Sequence, residues 1–353
     1  MSFFEASLLL SREIGHLYHQ GTTLLQLSWM NWSSGNYLVS QTQAREVQRL
    51  AVLSSDLLQE ASGLRMEVMS CTALGNYKRS LSLCHRAREI VQLCGLSGGN
   101  LEHLIMTSEA VVHRRKSDFQ AARALHVEIM NLNKSLEERS LAVLNIGLLD
   151  VQLGALEQAQ SSFDTVKSLS AILSRPRGMI YCEVGFAGIC LQQGNHSVAK
   201  EIYERIVKSS WGKEHDIVND CLVSLGDCTR WSSHDSVWVF RWTVILFVLG
   251  MKSQTMLLIH EALRCLGDFF IQQDADTAQS LFIVALEGFT EMDVHQGKGK
   301  CLLRLGDIAF DGGEKHRAVA FWREALPLFE KSSQAKEVAQ VTVRLQGTNV
   351  GQN

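Results

Sequence analysis

Two histidines three residues apart, His16 and His19, are the first pair in this chain whose types and spacing could do chemistry. That spacing can put two imidazoles on one helix face, as a zinc site would want. No carboxylate or thiol accompanies them at ligand spacing, so they read as ordinary part-buried histidines. Nine cysteines, at 71, 84, 94, 182, 190, 221, 228, 265 and 301, are odd in number and include no Cys-x-x-Cys pair. Cys182 and Cys190 stand about two helical turns apart. The set reads as buried, reduced thiols of a cytoplasmic chain. Four cationic positions in a row, His113-Arg114-Arg115-Lys116, could face phosphates. No aromatic residues interleave with them, and they read as a solvated turn between helices. A phosphate loop, a Gly-x-Gly-x-x-Gly, a Gly-x-Ser-x-Gly and a His-Glu-x-x-His are all absent. The expectation is a protein that is not an enzyme, with no cofactor, no metal and no catalytic residue.

What remains is a surface, and composition says what kind. The chain has 353 residues, 46% apolar and 20% charged, with a formal charge of -3. Such a composition suits a folded chain, and its charge gives no case for nucleic acid or an anionic membrane as partner. Only two prolines, Pro176 and Pro327, occur, which favours long helices. The start carries no basic segment before an apolar core, and Glu5 interrupts its apolar stretch, so a signal peptide is not expected. The sequons at Asn31, Asn133 and Asn195 would matter only in a secreted chain.

The elements that must build the surface repeat about every forty residues. Leu305-Gly306-Asp307 is followed by Ala318, Trp322 and Ala325, and Leu266-Gly267-Asp268 by Ala278, Phe282 and Ala285. The frame recurs as Gly147 with Ala159, Phe163 and Val166, and as Ala187 with Ala199, Tyr203 and Ile206. Fainter copies hold Ser40, Ala44 and Val47; Ser80, Cys84 and Ala87; and Ala122 with His126. Small residues on two adjacent helices let backbones approach, an aromatic one turn on fills the gap, and Gly, Asn or Asp reverses the chain between them. One such pair cannot bury its own apolar face, so the pairs must stack. Gly226 falls in phase, with Ser236, Phe240 and Thr243 as its second helix. The apolar run Val237 to Met251, which holds Phe240 and Thr243, is only 15 residues long and contains Arg241. A membrane span needs about 20 apolar residues and a central arginine costs about 2.5 kcal/mol or more, so no membrane association is expected. Burial on both sides, or a hidden partner at Trp231, Trp238 and Trp242, would account for the run.

On these residues the chain resembles the tetratricopeptide-repeat proteins, in a long-repeat form. The Leu-Gly-Asp copies with "TAQSLFIVALEGF" and "EALPLFEKSSQAKEVAQV" further resemble the repeat regions of fungal NLR-like NTPase proteins from mushroom-forming species. The resemblance implies an all-α, right-handed superhelical solenoid of about eight antiparallel helix pairs. A leading helix would occupy 1–20, the array 21–345 and a disordered tail 346–353. It also implies that first helices line a concave groove for a protein or peptide partner. Asp227, Asp268 and Asp307 should stack up that groove, with Val223, Arg264 and Leu303 facing the same way and Arg230, Trp231, Gln272 and Lys300 nearby. Leu144, Leu148 and Val151 would form its apolar middle. An alternative is a C-terminal sensor or regulatory fragment of a larger nucleotide-binding switch ATPase, motivated by Phe3, Phe4, Leu8, Leu9 and Leu10, which would leave an apolar end. Self-association through that end or through the 237–251 helix is the remaining partner expectation.

Overall fold

The computed structural model describes residues 3–132, 135–172, 176–229 and 236–349, with backbone alone at 172, 229, 236–239 and 349. Among these residues the chain is all helix. A leading helix α1 (Phe3–Glu13) precedes eight antiparallel pairs. They are α2 (Leu17–Ser33) with α3 (Tyr37–Ser54), α4 (Leu57–Ala73) with α5 (Tyr77–Leu93), α6 (Asn100–Arg115) with α7 (Phe119–Leu132), and α8 (Leu136–Gln152) with α9 (Leu156–Ile172). Then come α10 (Pro176–Gln192) with α11 (His196–Ser210), α12 (His215–Thr229) with α13 (Ser236–Ser253), α14 (Met256–Phe270) with α15 (Ala275–Glu291), and α16 (His295–Asp311) with α17 (Lys315–Lys331). A last helix, α18 (Ala335–Asn349), closes the array. Residues 346–349, expected in the tail, complete α18, which Arg344 fastens to Asp307 on α16. Each helix packs chiefly on its neighbours in sequence, which is a tetratricopeptide-like solenoid.

The repeat frame is the core. Ser40, Ser80, Ala122, Ala159, Ala199, Ala278 and Ala318 are all fully buried, and so are Phe163, Phe282 and Phe329. The glycines of the first helices make room for the rings of the second. A Cβ at Gly147 would stand 2.8 Å from the Phe163 ring, and one at Gly267 2.8 Å from that of Phe282. The close approach is thus ring against backbone, helix to helix within a pair.

At α13 the frame differs from the expectation. Phe240 is exposed, while Thr243, Leu246 and Gly250 take the inner face. These sit about one repeat from Tyr203, Ile206 and Ser210 and from Phe282, Ala285 and Phe289, so the true register lies three residues later than Ser236, Phe240 and Thr243 suggest. The aromatic slot therefore holds Thr243, and Cys265 Sγ of α14 fills the space beside Gly226, 2.5 Å from where a Cβ would be. Nor is α13 buried on both sides. Trp242 and Leu246 pack on α12 and α14, and Phe240, Val248 and Met251 stay exposed. No helix among the described residues is long and apolar enough to cross a membrane. Trp231 and the Trp238 side chain lie outside the described residues.

The superhelix also touches itself across its own turns. The turn after α4 carries Gly75 at φ +87°, and a Cβ there would meet Met292 Sδ at 2.8 Å. Lys116, after α6, accepts the His295 amide on its carbonyl at 3.1 Å and pairs with Asp293 at 3.0 Å. Gln334 Nε2 donates to the Gln152 carbonyl at 2.8 Å, across 182 residues of sequence. One apolar cluster consequently joins α4, α5 and α6 to α14, α15 and α16, with Tyr77, Ile105, Leu257, Phe282 and Met292 among its members.

One frame position predicts a pH response. His126 stands in the aromatic slot of α7 and is 3% exposed. Burial, with the nearby Arg114 charge, lowers its pKa to about 4. A folded pKa below the unfolded one means that the neutral ring is favoured. Its contribution is complete above pH 6.5 and is lost as pH falls towards 4, about 3 kcal/mol in all. Urea unfolding should therefore show stability falling across that window, and the fall should shrink in His126→Phe. An unchanged profile in the variant would assign the acid sensitivity elsewhere.

Candidate functional site: the lumen of the solenoid

The first helices face inward, and α6, α8, α10, α12, α14 and α16, with the closing α18, line a half-open cavity of about 250 Å³. Leu148, Val151, Val184 and Leu191 give it an apolar wall, and Gln192, Gln296 and Gln340 bring amides to it. Gly185 and Gly188 of α10 also border it, Gly185 packed under the Phe163 ring and Gly188 against Val151.

Across this lumen runs an ion pair that joins α6 to α12. Arg114 and Arg115 end α6, where a helix terminus favours cations. Arg114 Nη1 meets one oxygen of Asp220 at 3.2 Å, and Arg115 Nη1 meets the other at 2.9 Å. Burial alone would raise the Asp220 pKa, but the two guanidinium groups hold it below the ordinary carboxylate value. Arg115 is raised in turn: burial opposes its charge, and Asp220 more than compensates. The basic run is therefore not a solvated turn. His113 bonds Asp118 and Lys116 bonds Asp293, so all four members are engaged. A cationic run at the end of a groove-lining helix was the sequence signal for this bridge. Tyr181, also on the wall, donates its hydroxyl to Asp216 Oδ2 at 2.7 Å, and burial pushes its pKa up.

The predicted groove residues divide. Asp227, Lys300, Val223 and Leu148 line the lumen, and Lys300 Nζ reaches Asp227 at 3.0 Å. Asp307 and Gln272 line a separate, more open hollow of about 520 Å³ near the C-terminal end, with Arg304, Phe310 and Arg344. Leu144 is buried in the core between α8, α9 and α10, and Leu303 in that of α16, α17 and α18, so neither faces a groove. Arg264 is 3% exposed and spends its whole fork internally. Its Nε bonds Glu261 at 2.8 Å, Nη1 bonds Asp268 at 3.2 Å and Nη2 bonds Asp227 at 2.8 Å. Arg230 and Trp231 lie outside the described residues.

The three aspartates do stack, but as rungs of a ladder that includes two cations absent from the expectation, Arg304 and Arg344. Arg304 joins Asp268 at 2.7 Å to Asp307 at 3.4 Å, and Arg344 reaches Asp307 at 2.6 Å. Arg264, Arg304 and Arg344 recur every forty residues, the repeat period itself. That spacing was the available signal, obscured because Arg304 stands one residue off the Leu-Gly-Asp frame, which puts Leu303 opposite Arg264. Trp322 adds its indole N–H to Asp307 at 3.2 Å.

Nothing else in the described residues offers chemistry. No group of three or more His, Cys, Asp or Glu could hold a metal ion there. The His16 and His19 rings lie 4.2 Å apart, and His16 Nδ1 caps α2 by accepting the His19 amide. All nine cysteines are free, and burial pushes the thiols of Cys84, Cys228 and Cys265 up to about 12, which keeps them protonated.

No protein-family model matches the chain, and no curated protein matches it in sequence. Solved structures do match in fold. A Rap protein complexed with Competence and Sporulation Factor superposes with a TM-score of 0.60 at 12% identity, covering 94% of this chain and 98% of that one. NprR in complex with its cognate peptide NprX gives 0.54 at 14% identity, covering 88% and 89%. Both are tetratricopeptide-like helical repeat proteins, and at these identities the likeness is one of fold.

Proposed function

We propose that this chain is a non-enzymatic interaction scaffold that takes a partner peptide into its lumen. The carrying observation is the half-open cavity, whose apolar wall, amides and opposed charges converge from six first helices and α18. Amides satisfy a peptide backbone, while the apolar wall and the charges select side chains. NprR, whose fold this one shares, is a solenoid seen with a peptide. The test is panning of random displayed peptides on the full chain, with Val223→Trp as counter-target, since Val223 lines the cavity. Selected peptides should bind the variant at least about tenfold more weakly, about 1.4 kcal/mol, while its thermal unfolding stays close to the parent's. Equal binding by both would remove the lumen as the site.

The regulatory-fragment reading is favoured by α1, where Phe3, Leu9 and Leu10 are exposed and a further helix pair would cover them. A fusion restoring such a pair should raise the unfolding temperature; no rise would count against that reading.

A further inference from the structure

Arg114, Arg115 and Asp220 form an unequal meeting: two guanidinium groups on one carboxylate, at the wall of a cavity. Each Asp220 oxygen takes a single nitrogen from a different arginine. Two guanidinium groups thus share one carboxylate that either alone could hold in a fork. One positive charge is left over at the bridge. Elsewhere on the wall Lys300 meets Asp227, Glu261 meets Arg264, and Lys336 and Glu337 bring one charge of each sign. The bridge lies beside open space, with the side chains of Val151 and Val184 on the same wall.

Resting on the lumen as the peptide site, we propose that Arg114 and Arg115 form a carboxylate-binding subsite for the ligand, in which Asp220 is the built-in occupant. A ligand carboxylate, from a peptide C-terminus or from an Asp or Glu side chain, meets the two guanidinium groups at the expense of Asp220. The apolar wall then takes the side chain that carries or adjoins that carboxylate. The chain's own α12 thus competes with the ligand, and the apparent affinity is the intrinsic affinity reduced by the fraction of time the arginines are released.

The probes are three synthetic random-sequence peptide pools passed over the immobilised full chain. The first has free C-termini and no Asp or Glu; the second has amidated C-termini and includes Asp and Glu; the third is amidated and lacks both. Retention of the first or the second above the third supports the subsite and says which carboxylate it reads. Equal retention of all three overturns the subsite while leaving the lumen as a peptide site. Retention of none overturns both. Two variants separate the subsite from a merely structural bridge. In Arg114→Gln/Arg115→Gln the carboxylate pools should fall to the level of the third pool. In Asp220→Asn the favoured pool should bind about tenfold more tightly, the gain expected if the arginines are released about a tenth of the time. A misfolded variant cannot produce that gain. Asp220→Asn that binds every pool equally or more weakly overturns the proposal.

Discussion

Arg264→Met should destabilise the protein by about 3–5 kcal/mol, the range for removing one partner of a buried ion pair. Arg264 is a fully buried guanidinium, and its pKa is raised well above normal: burial opposes the charge, and Cys265, Glu261, Asp227 and Asp268 overcome it. Methionine fills much of the same volume, so the loss is electrostatic rather than a cavity. After the change Asp227 keeps Lys300 and Asp268 keeps Arg304, while Glu261, 12% exposed at its side chain, loses the partner it has in Arg264. Glu261→Gln in the Arg264→Met background should therefore recover part of the loss, because no uncompensated charge then stays buried there. Arg264→Lys should do poorly, since one ammonium cannot fork to three carboxylates on two helices. Urea unfolding midpoints measure all three. A loss under about 1 kcal/mol for Arg264→Met would place the ladder among surface ion pairs of little worth.

Phe282→Ala is the other large expected effect, about 3–5 kcal/mol by the usual cost of emptying a buried ring site. The ring is fully buried and lies over Gly267, so the space it leaves is bounded by helix backbone that cannot easily collapse. The reverse fault, Gly267→Ala, pushes a methyl into the same ring and should cost about 1–3 kcal/mol. The two sites share one space, so the double variant should lose less than the sum of the singles. Phe282 belongs to the cluster that joins α14–α16 to α4–α6, and the damage should be read at a distance too. Amide exchange should speed up in α4 and α5 as well as in α14 and α15. Acceleration confined to α14 and α15 would mean that the superhelical turns are energetically independent.

The all-helical class, the pair count and the buried frame were legible because a forty-residue period repeats chemistry that only one packing satisfies. Ala278, Phe282 and Ala285 spell out their own burial. Where a copy departs from the frame, legibility failed: Thr243 occupies the ring position of α13, and pattern matching moved to the nearest aromatic, Phe240, which is exposed. The lumen was harder still. Repeat matching aligns neighbours forty residues apart, whereas the Arg114–Asp220 bridge spans 106 residues and depends on how far the superhelix has wound. Nothing in the local pattern states that winding. The ladder lies between these cases, since Arg264, Arg304 and Arg344 are spaced by forty but Arg304 stands one residue off the frame that Gly267 and Gly306 set.

The contacts between Lys116 and Asp293 and between Gln334 and Gln152 bear on how the chain is made. A solenoid of independent repeats can fold from either end as each pair emerges, because every contact is local. Here the α4–α6 region completes its apolar packing only with residues near 257–305, which are synthesised long afterwards. The early repeats must wait, part-finished, with Tyr77 and Ile105 lacking their distant neighbours. Joining them is a single long-range closure late in folding, slow in the way that distant pairings are slow. Its completion turns a string of modules into one unit that unfolds together.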